Sequence, residues 1–177
     1  MQLGRITIFP IKSLDGLAVE TVRITGGGIL ENDRSYAIYD ADGKVVNGKR
    51  TPRVHELRCA FDPKITEVRL SQNDESPGQF PLDDRAGVNK WLSDFFGFPV
   101  VLRHEPQSEF LDDRTAFGPT ITSEASLRTI QGWFPEMTLK SVRRRFRTNL
   151  ELTGGEPFDE DRLFGHRTNS SRFKLAR

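Results

Sequence analysis

Apolar and polar residues alternate through much of the first half of the chain, which is the pattern of β-strands. Arg5-Ile6-Thr7-Ile8-Phe9 reads as a strand that Pro10 ends, because proline cannot donate to a sheet ladder. Leu17 to Thr25 (LAVETVRIT) alternates as a half-buried strand does, and Gly26-Gly27-Gly28 then breaks the chain. Ser35 to Tyr39 and Lys44 to Val46 flank Asp40-Ala41-Asp42-Gly43, a hairpin turn with glycine available for positive φ. Ile65 to Leu70 is a further alternating strand, and Asn73 to Gly78 (NDESPG) reads as a polar surface loop. Short strands separated by turn signals predict a barrel or sandwich.

The period then changes. Val88, Trp91, Leu92, Phe95 and Phe96 fall on one face of an amphipathic helix that Gly97 can end in the left-handed conformation. Val100 to Arg103 returns to strand. A second helix is predicted from Ser123, an N-cap residue followed by Glu124 in the first turn, with Leu127, Ile130 and Phe134 as its buried face. Phe146 to Thr153 (FRTNLELT) reads as a strand ending at Gly154-Gly155. The fold class expected is mainly β with a few helices, α+β. A polar stretch at 105–119 is the expected linker. The tail, His166 to Arg177, lacks acidic residues and a regular period and is expected to be disordered or aberrant.

Composition narrows the function. Hydrophobic residues make up 36% of 177, with 13 Phe and 2 Trp, enough for a packed core. A net charge of +1 argues against global attraction to nucleic acid or an acidic membrane, so anion binding must come from local clusters. No apolar run approaches the roughly 20 residues of a membrane span, and the opening residues lack a signal-peptide pattern. Cys59 is the one cysteine, which excludes an internal disulfide and fits a cytoplasmic setting. In ELRCAFD it reads as a core residue.

Three clusters are suited to an anion. Lys12-Ser13, after the opening strand, can donate to a phosphate or simply flank a turn. Arg34 offers a planar fork that Asp33 can orient, or the two form a surface ion pair; Lys49, Arg50 and Arg53 add charge downstream. In a strand through Arg143 to Asn149, Arg145, Arg147 and Asn149 share one face, either an anion face or a solvated edge. Ser123 adds a helix N-terminus. Asp159-Glu160-Asp161 is a solvated turn or a cation site. His55, His104 and His166 have no metal-ligand spacing, and neither a Walker loop nor a nucleophile elbow is present.

These segments resemble a known family. Phe9-Pro10-Ile11-Lys12-Ser13-Leu14 followed by Asn32-Asp33-Arg34-Ser35-Tyr36, with Lys49-Arg50-Thr51-Pro52-Arg53 after them, is similar to the MOSC N-terminal β-barrel domain. Ile121-Thr122-Ser123-Glu124-Ala125-Ser126-Leu127, Phe146-Arg147-Thr148-Asn149 and Pro157-Phe158-Asp159-Glu160-Asp161-Arg162 resemble the first half of a MOSC domain. The likeness spans about 2–164. It implies a β-barrel-like domain over 1–104 packed on an incomplete MOSC β-barrel over 120–165, with a tail at 166–177.

The resemblance further implies a molybdenum-pterin cofactor (molybdopterin) seated between the two domains. Lys12, Ser13 and Arg34 match cofactor-contacting positions on the N-terminal side, and Ser123, Arg147 and Asn149 match such positions in the MOSC part. Thr148 stands where the family usually carries Pro. The family holds amidoxime-reducing molybdenum oxidoreductases, so the implied reaction is reduction of an N-hydroxylated small molecule by electrons from an external electron-transfer protein. Pyridoxal phosphate binding is a further association of the family. The cysteine that ligates molybdenum in the family has no counterpart after Phe164, and Cys59 lies in the other domain. A non-catalytic molybdopterin- or phosphate-binding module, or a truncated gene product, is the alternative.

Overall fold

The computed structural model describes residues 1–72, 75–104, 118–163 and 172–174. Its strands are β1 (Gln2–Ile8), β2 (Leu17–Val19), β3 (Thr21–Arg23), β4 (Tyr36–Asp40), β5 (Leu57–Phe61), β6 (Glu67–Gln72), β7 (Glu75–Pro81), β8 (Val100–His104), β9 (Ile121–Ser123), β10 (Leu150–Thr153) and β11 (Arg172–Lys174). The helices are α1 (Arg85–Phe96), α2 (Glu124–Trp133) and α3 (Leu139–Phe146), with 3-10 turns at Pro52–Glu56 and Asp159–Leu163. Among the described residues the fold is mainly β with three helices, as expected for α+β. The expected barrel is not closed among the described residues: the strands form sheets ordered β2-β1-β10-β9, β11-β3, β4-β8 and β5-β6-β7. Short strands that change partner leave these sheets open.

Two compact units interleave along the chain. One comprises Met1–Ile8, Ala18–Glu31 and Asp113–Arg177; the other comprises Phe9–Leu17 and Asn32–Asp112. In the first, β1 pairs antiparallel with β10, with a register shift between Leu3 and Arg5, and β10 pairs parallel with β9. Ile6, Ile8, Leu127, Val142 and Leu150 are buried there. In the second, β5, β6 and β7 form an antiparallel meander, β4 pairs with β8, and α1 buries Val88, Leu92, Phe95 and Phe96. Asp84 caps α1 by accepting from the Gly87 amide at 3.1 Å, and Gly97 ends it at φ 79°.

Several expectations need correction. Leu17 to Thr25 is two strands broken at Glu20, because the chain changes sheets there: β2 joins β1 and β3 joins β11. In the polar loop expected at Asn73 to Gly78, Glu75–Pro81 is a strand; Pro77 is tolerated because β7 lies at the edge of its sheet. Asn73 and Asp74 lie outside the described residues, as do 105–117 of the expected linker. Within the tail, Arg172–Lys174 pair with Thr21–Arg23, and the remaining tail positions lie outside the described residues. Phe134 is 44% exposed, since α2 stops at Trp133 and Phe134 leaves helical geometry at φ −131°.

The strand expected from Phe146 and the shared face of Arg145, Arg147 and Asn149 are overturned. Residues Leu139–Phe146 form a helix, and only Leu150–Thr153 is strand. Thr138 caps the helix by accepting from the Ser141 amide at 3.1 Å. Lys and Arg propagate a helix well, and three arginines in its last turn complement the negative end of its dipole. Arg147 then leaves the helix in the left-handed conformation, so no strand alternation relates it to Arg145.

Candidate functional site

In the second unit, the two segments flagged around Lys12 and Arg34 lie side by side. The Arg34 amide donates to the Phe9 carbonyl at 2.7 Å, the Tyr36 amide to Pro10 at 2.9 Å, and the Lys12 amide to Tyr36 at 2.8 Å. Ile11 and Tyr36 form a parallel bridge. Lys12, Ser13 and Arg34 therefore belong to one two-stranded ledge, although some twenty residues separate them in sequence. Asp33 braces it: one carboxylate oxygen accepts from the Phe9 amide at 2.7 Å, and the other pairs with the Arg34 guanidinium. That guanidinium lies 5.5 Å from the Phe9 ring centroid, and its side chain is 12% exposed. The Asp33–Arg34 pair is thus largely buried and structural, not a solvated surface pair. Arg50 pairs with Asp40 at 3.6 Å and Arg53 lies over Phe95 at 4.8 Å, so these basic residues have partners within the fold.

Backbone conformation marks the same residues. Among the described residues, six that are not glycine have positive φ, and Ser13 (72°), Arg34 (52°) and Arg147 (54°) are three of them. Side chains with a Cβ avoid this region, and residues held there concentrate at functional sites. Ile65 (56°) has a local reason: it sits in the β5–β6 turn, which Asp62 holds by accepting from the Thr66 and Glu67 amides at 2.6 Å each.

In the first unit, Ser123 and Asn149 are buried and engaged. The Ser123 hydroxyl caps α2, accepting from the Ser126 amide at 3.0 Å. Its own amide donates to a Glu160 oxygen at 3.0 Å, and the Thr122 hydroxyl donates to the same oxygen at 3.2 Å. The anion at this helix start is thus a side chain of the protein itself. Burial opposes ionisation of Glu160, but hydrogen bonds from the Ser126 hydroxyl and from Ser123 outweigh it, and its carboxyl sits below its ordinary value. Asn149 accepts from the Thr120 amide at 3.2 Å and hydroxyl at 3.1 Å. The acidic run read as a solvated turn or cation site therefore holds a structural carboxylate. Among the described residues, no group of His, Cys, Asp or Glu is arranged to hold a metal.

The sequence reading missed an ion-pair network. Arg143 donates through Nε to Glu151 at 2.8 Å and through Nη2 to Glu124 at 3.0 Å, and Glu151 is buried on β10. Hydrogen bonding to Glu151 holds the Arg143 pKa above its ordinary value, against its desolvation. The signal lay in LELT, where an acidic residue sits among strand apolars, a placement that needs a cation partner. Cys59 packs in β5 with its Sγ 3.3 Å from the Asp15 carbonyl, as a core residue does. No helix among the described residues is long and apolar enough to cross a membrane.

A molybdenum cofactor sulfurase of Oryza sativa subsp. japonica is 23% identical over 210 residues, covering 91% of this chain and 25% of its own length. The chain thus spans about a quarter of that relative. A Bordetella bronchiseptica protein solved in solution shares 16% identity over 44% of this chain and 76% of its own, with a TM-score of 0.35, too low to inform the fold. The MOSC N-terminal beta barrel domain matches residues 1–99, which include the whole Phe9–Leu14 and Asn32–Tyr36 ledge, and the chain belongs to that family.

Proposed function

We propose that this chain binds a molybdenum-pterin cofactor by its phosphate, as a binding module in the sense that its own residues anchor the cofactor without ligating the metal. The observation that carries the reading is the left-handed backbone at Ser13 and Arg34, two of the three positions in the second unit at which the family resemblance implies a cofactor contact. The Arg34 amide is spent on the Phe9 carbonyl, so the donors this reading offers an oxyanion are side chains, held on backbone that residues with a Cβ seldom adopt. The molybdenum cofactor sulfurase relative supports the same cofactor class. The stretch 120–165 belongs, in this reading, to a MOSC domain.

The roles differ among the six positions that the family resemblance implies. Lys12 and Arg147 supply positive charge, and Arg34 offers the part of its fork that Asp33 leaves open. Ser13 donates from its hydroxyl. Ser123 and Asn149 are committed to bonds within the protein, so they position neighbouring backbone and do not reach the ligand.

The residues fit a phosphate and do not fit the metal. A soft centre of this kind prefers a thiolate, and the chain's one cysteine is packed in β5. Reduction of an N-hydroxylated small molecule, with electrons from an external protein, therefore requires a thiolate from outside this chain.

The test is to purify the chain from a cofactor-producing host and assay pterin and molybdenum, alongside the double variant Arg34→Gly and Arg147→Gly. Glycine accepts the left-handed backbone, so the substitutions add no backbone strain while removing both guanidinium groups, and circular dichroism of the variant checks that the fold withstands the loss of the Asp33 partner. Pterin near one equivalent in the parent and absent in the variant is the expected result. Pterin retained unchanged in the variant overturns the site. Pyridoxal phosphate found in place of pterin overturns the cofactor class.

A further inference from the structure

Arg85, the first residue of α1, has a buried Nη1 without a hydrogen-bond partner among the described residues. Its guanidinium carbon lies 4.9 Å from the centroid of the Tyr36 ring. Asp83 and Asp84 precede it, but Asp84 is committed to capping α1 through the Gly87 amide. Tyr36 also stacks on His104, with centroids 4.3 Å apart and planes at 24°. The Tyr36 backbone is bonded on both sides to the Pro10–Lys12 segment, so Arg85 lies against the ledge that carries Lys12, Ser13 and Arg34, within one unit.

This arrangement is incomplete as it stands. An aromatic face attracts the cation but offers no acceptor in the guanidinium plane. Arginine stays charged across the working pH range, so the group cannot relieve its burial by losing a proton. Arg34 shares its fork with Asp33, whereas the buried Nη1 of Arg85 meets no carboxylate among the described residues. A planar fork with an unfilled donor matches a tetrahedral or planar oxyanion.

We propose that Arg85, backed by Tyr36, is an oxyanion-binding residue for a phosphate group. The inference rests on Arg85 and Tyr36 alone and does not require the ligand to be a pterin. The phosphate belongs either to a bound cofactor or to a free ligand.

The test follows the Arg side-chain Nε–H resonances of the full-length chain during titration with inorganic pyrophosphate, against potassium chloride at matched ionic strength. The Arg85 resonance is expected to shift saturably with pyrophosphate and not with chloride, and Arg85→Gln is expected to weaken binding about tenfold. An Arg85 resonance that stays still, or moves equally with chloride, overturns the inference; because this readout uses the parent chain, it stands even where the variant does not fold. Pterin content of Arg85→Gln separates the sources: loss of pyrophosphate binding and pterin together assigns the seat to the cofactor phosphate, and loss of pyrophosphate alone assigns it to a free ligand. A silent Arg85 beside pterin loss in the Arg34→Gly and Arg147→Gly variant would remove this inference and leave the cofactor reading standing.

Discussion

Asn149 and Thr7 are 142 residues apart in sequence and hold each other in both directions: the Thr7 amide donates to the Asn149 carbonyl at 2.7 Å, and the Asn149 side-chain nitrogen donates to the Thr7 carbonyl at 3.0 Å. With the two Thr120 donors on its side-chain oxygen, this buried amide ties β1 to the approach of β9 and β10. Asn149→Ala strands several buried polar groups and is expected to cost about 2–4 kcal/mol. Asn149→Asp should do no better, because it sets a carboxylate oxygen against the Thr7 carbonyl. Denaturant unfolding of both variants checks this; two near-neutral values would show that the amide is dispensable.

Asp33 is the keystone of the ledge, serving the Phe9 amide and the Arg34 guanidinium at once. Asp33→Ala leaves a largely buried cation unpaired and is expected to cost about 3 kcal/mol and to lower cofactor retention with it. Thermal melting with pterin assay reads both effects together.

Three consecutive arginines in α3 should behave differently. Arg143→Ala unpairs buried Glu151 and is expected to cost about 3 kcal/mol, whereas Arg144→Ala and Arg145→Ala, at exposed positions, should stay within about 0.5 kcal/mol. Arg143→Lys should recover little, since one ammonium cannot reproduce the fork that meets both Glu151 and Glu124. Equal effects at all three positions would count against the network.

Glu160 gives a pH signature. Its folded pKa is depressed, so its contribution is fully present above the ordinary carboxylate range of about pH 4–5 and is lost as pH falls through the lower folded value. Glu160→Gln should therefore be less stable than the parent at neutral pH, with the gap closing in acid. Glu124, lowered chiefly by its hydrogen bond from Arg128, and Asp62, lowered chiefly by the Glu67 amide, drain in the same direction. The Glu160 share is thus the difference between parent and variant curves; a gap constant from pH 7 to about pH 3 would refute it.

Much of this was legible where local chemistry decides the outcome. The α1 face and its Gly97 stop, the Asp40–Gly43 hairpin and the Ser123 cap all follow from residues within a few positions of one another. The errors arose where a distant partner decides. Arg143 to Phe146 carries both helix-forming residues and a plausible strand alternation, and the Thr138 cap and the Glu151 partner settle the competition. The break at Glu20 is likewise invisible without β1 and β11 as separate partners. The ledge was recognisable as two motifs, but their parallel pairing and the Asp33 lock are set by contacts between segments some twenty residues apart, which no local pattern encodes.

The pairing of β1 with β10 also sets a timetable. Ribosomes add about 5–20 residues per second, so β1 waits roughly 7–30 s for the strand that completes its ladder. Throughout that interval Ile6 and Ile8, buried at the end, have no cover from Leu150, while the meander β5-β6-β7 is made from adjacent segments and needs no such delay. Nascent chains halted before Leu150 should therefore be the ones that recruit chaperones or aggregate, and full-length refolding should show the first unit's sheet closing last.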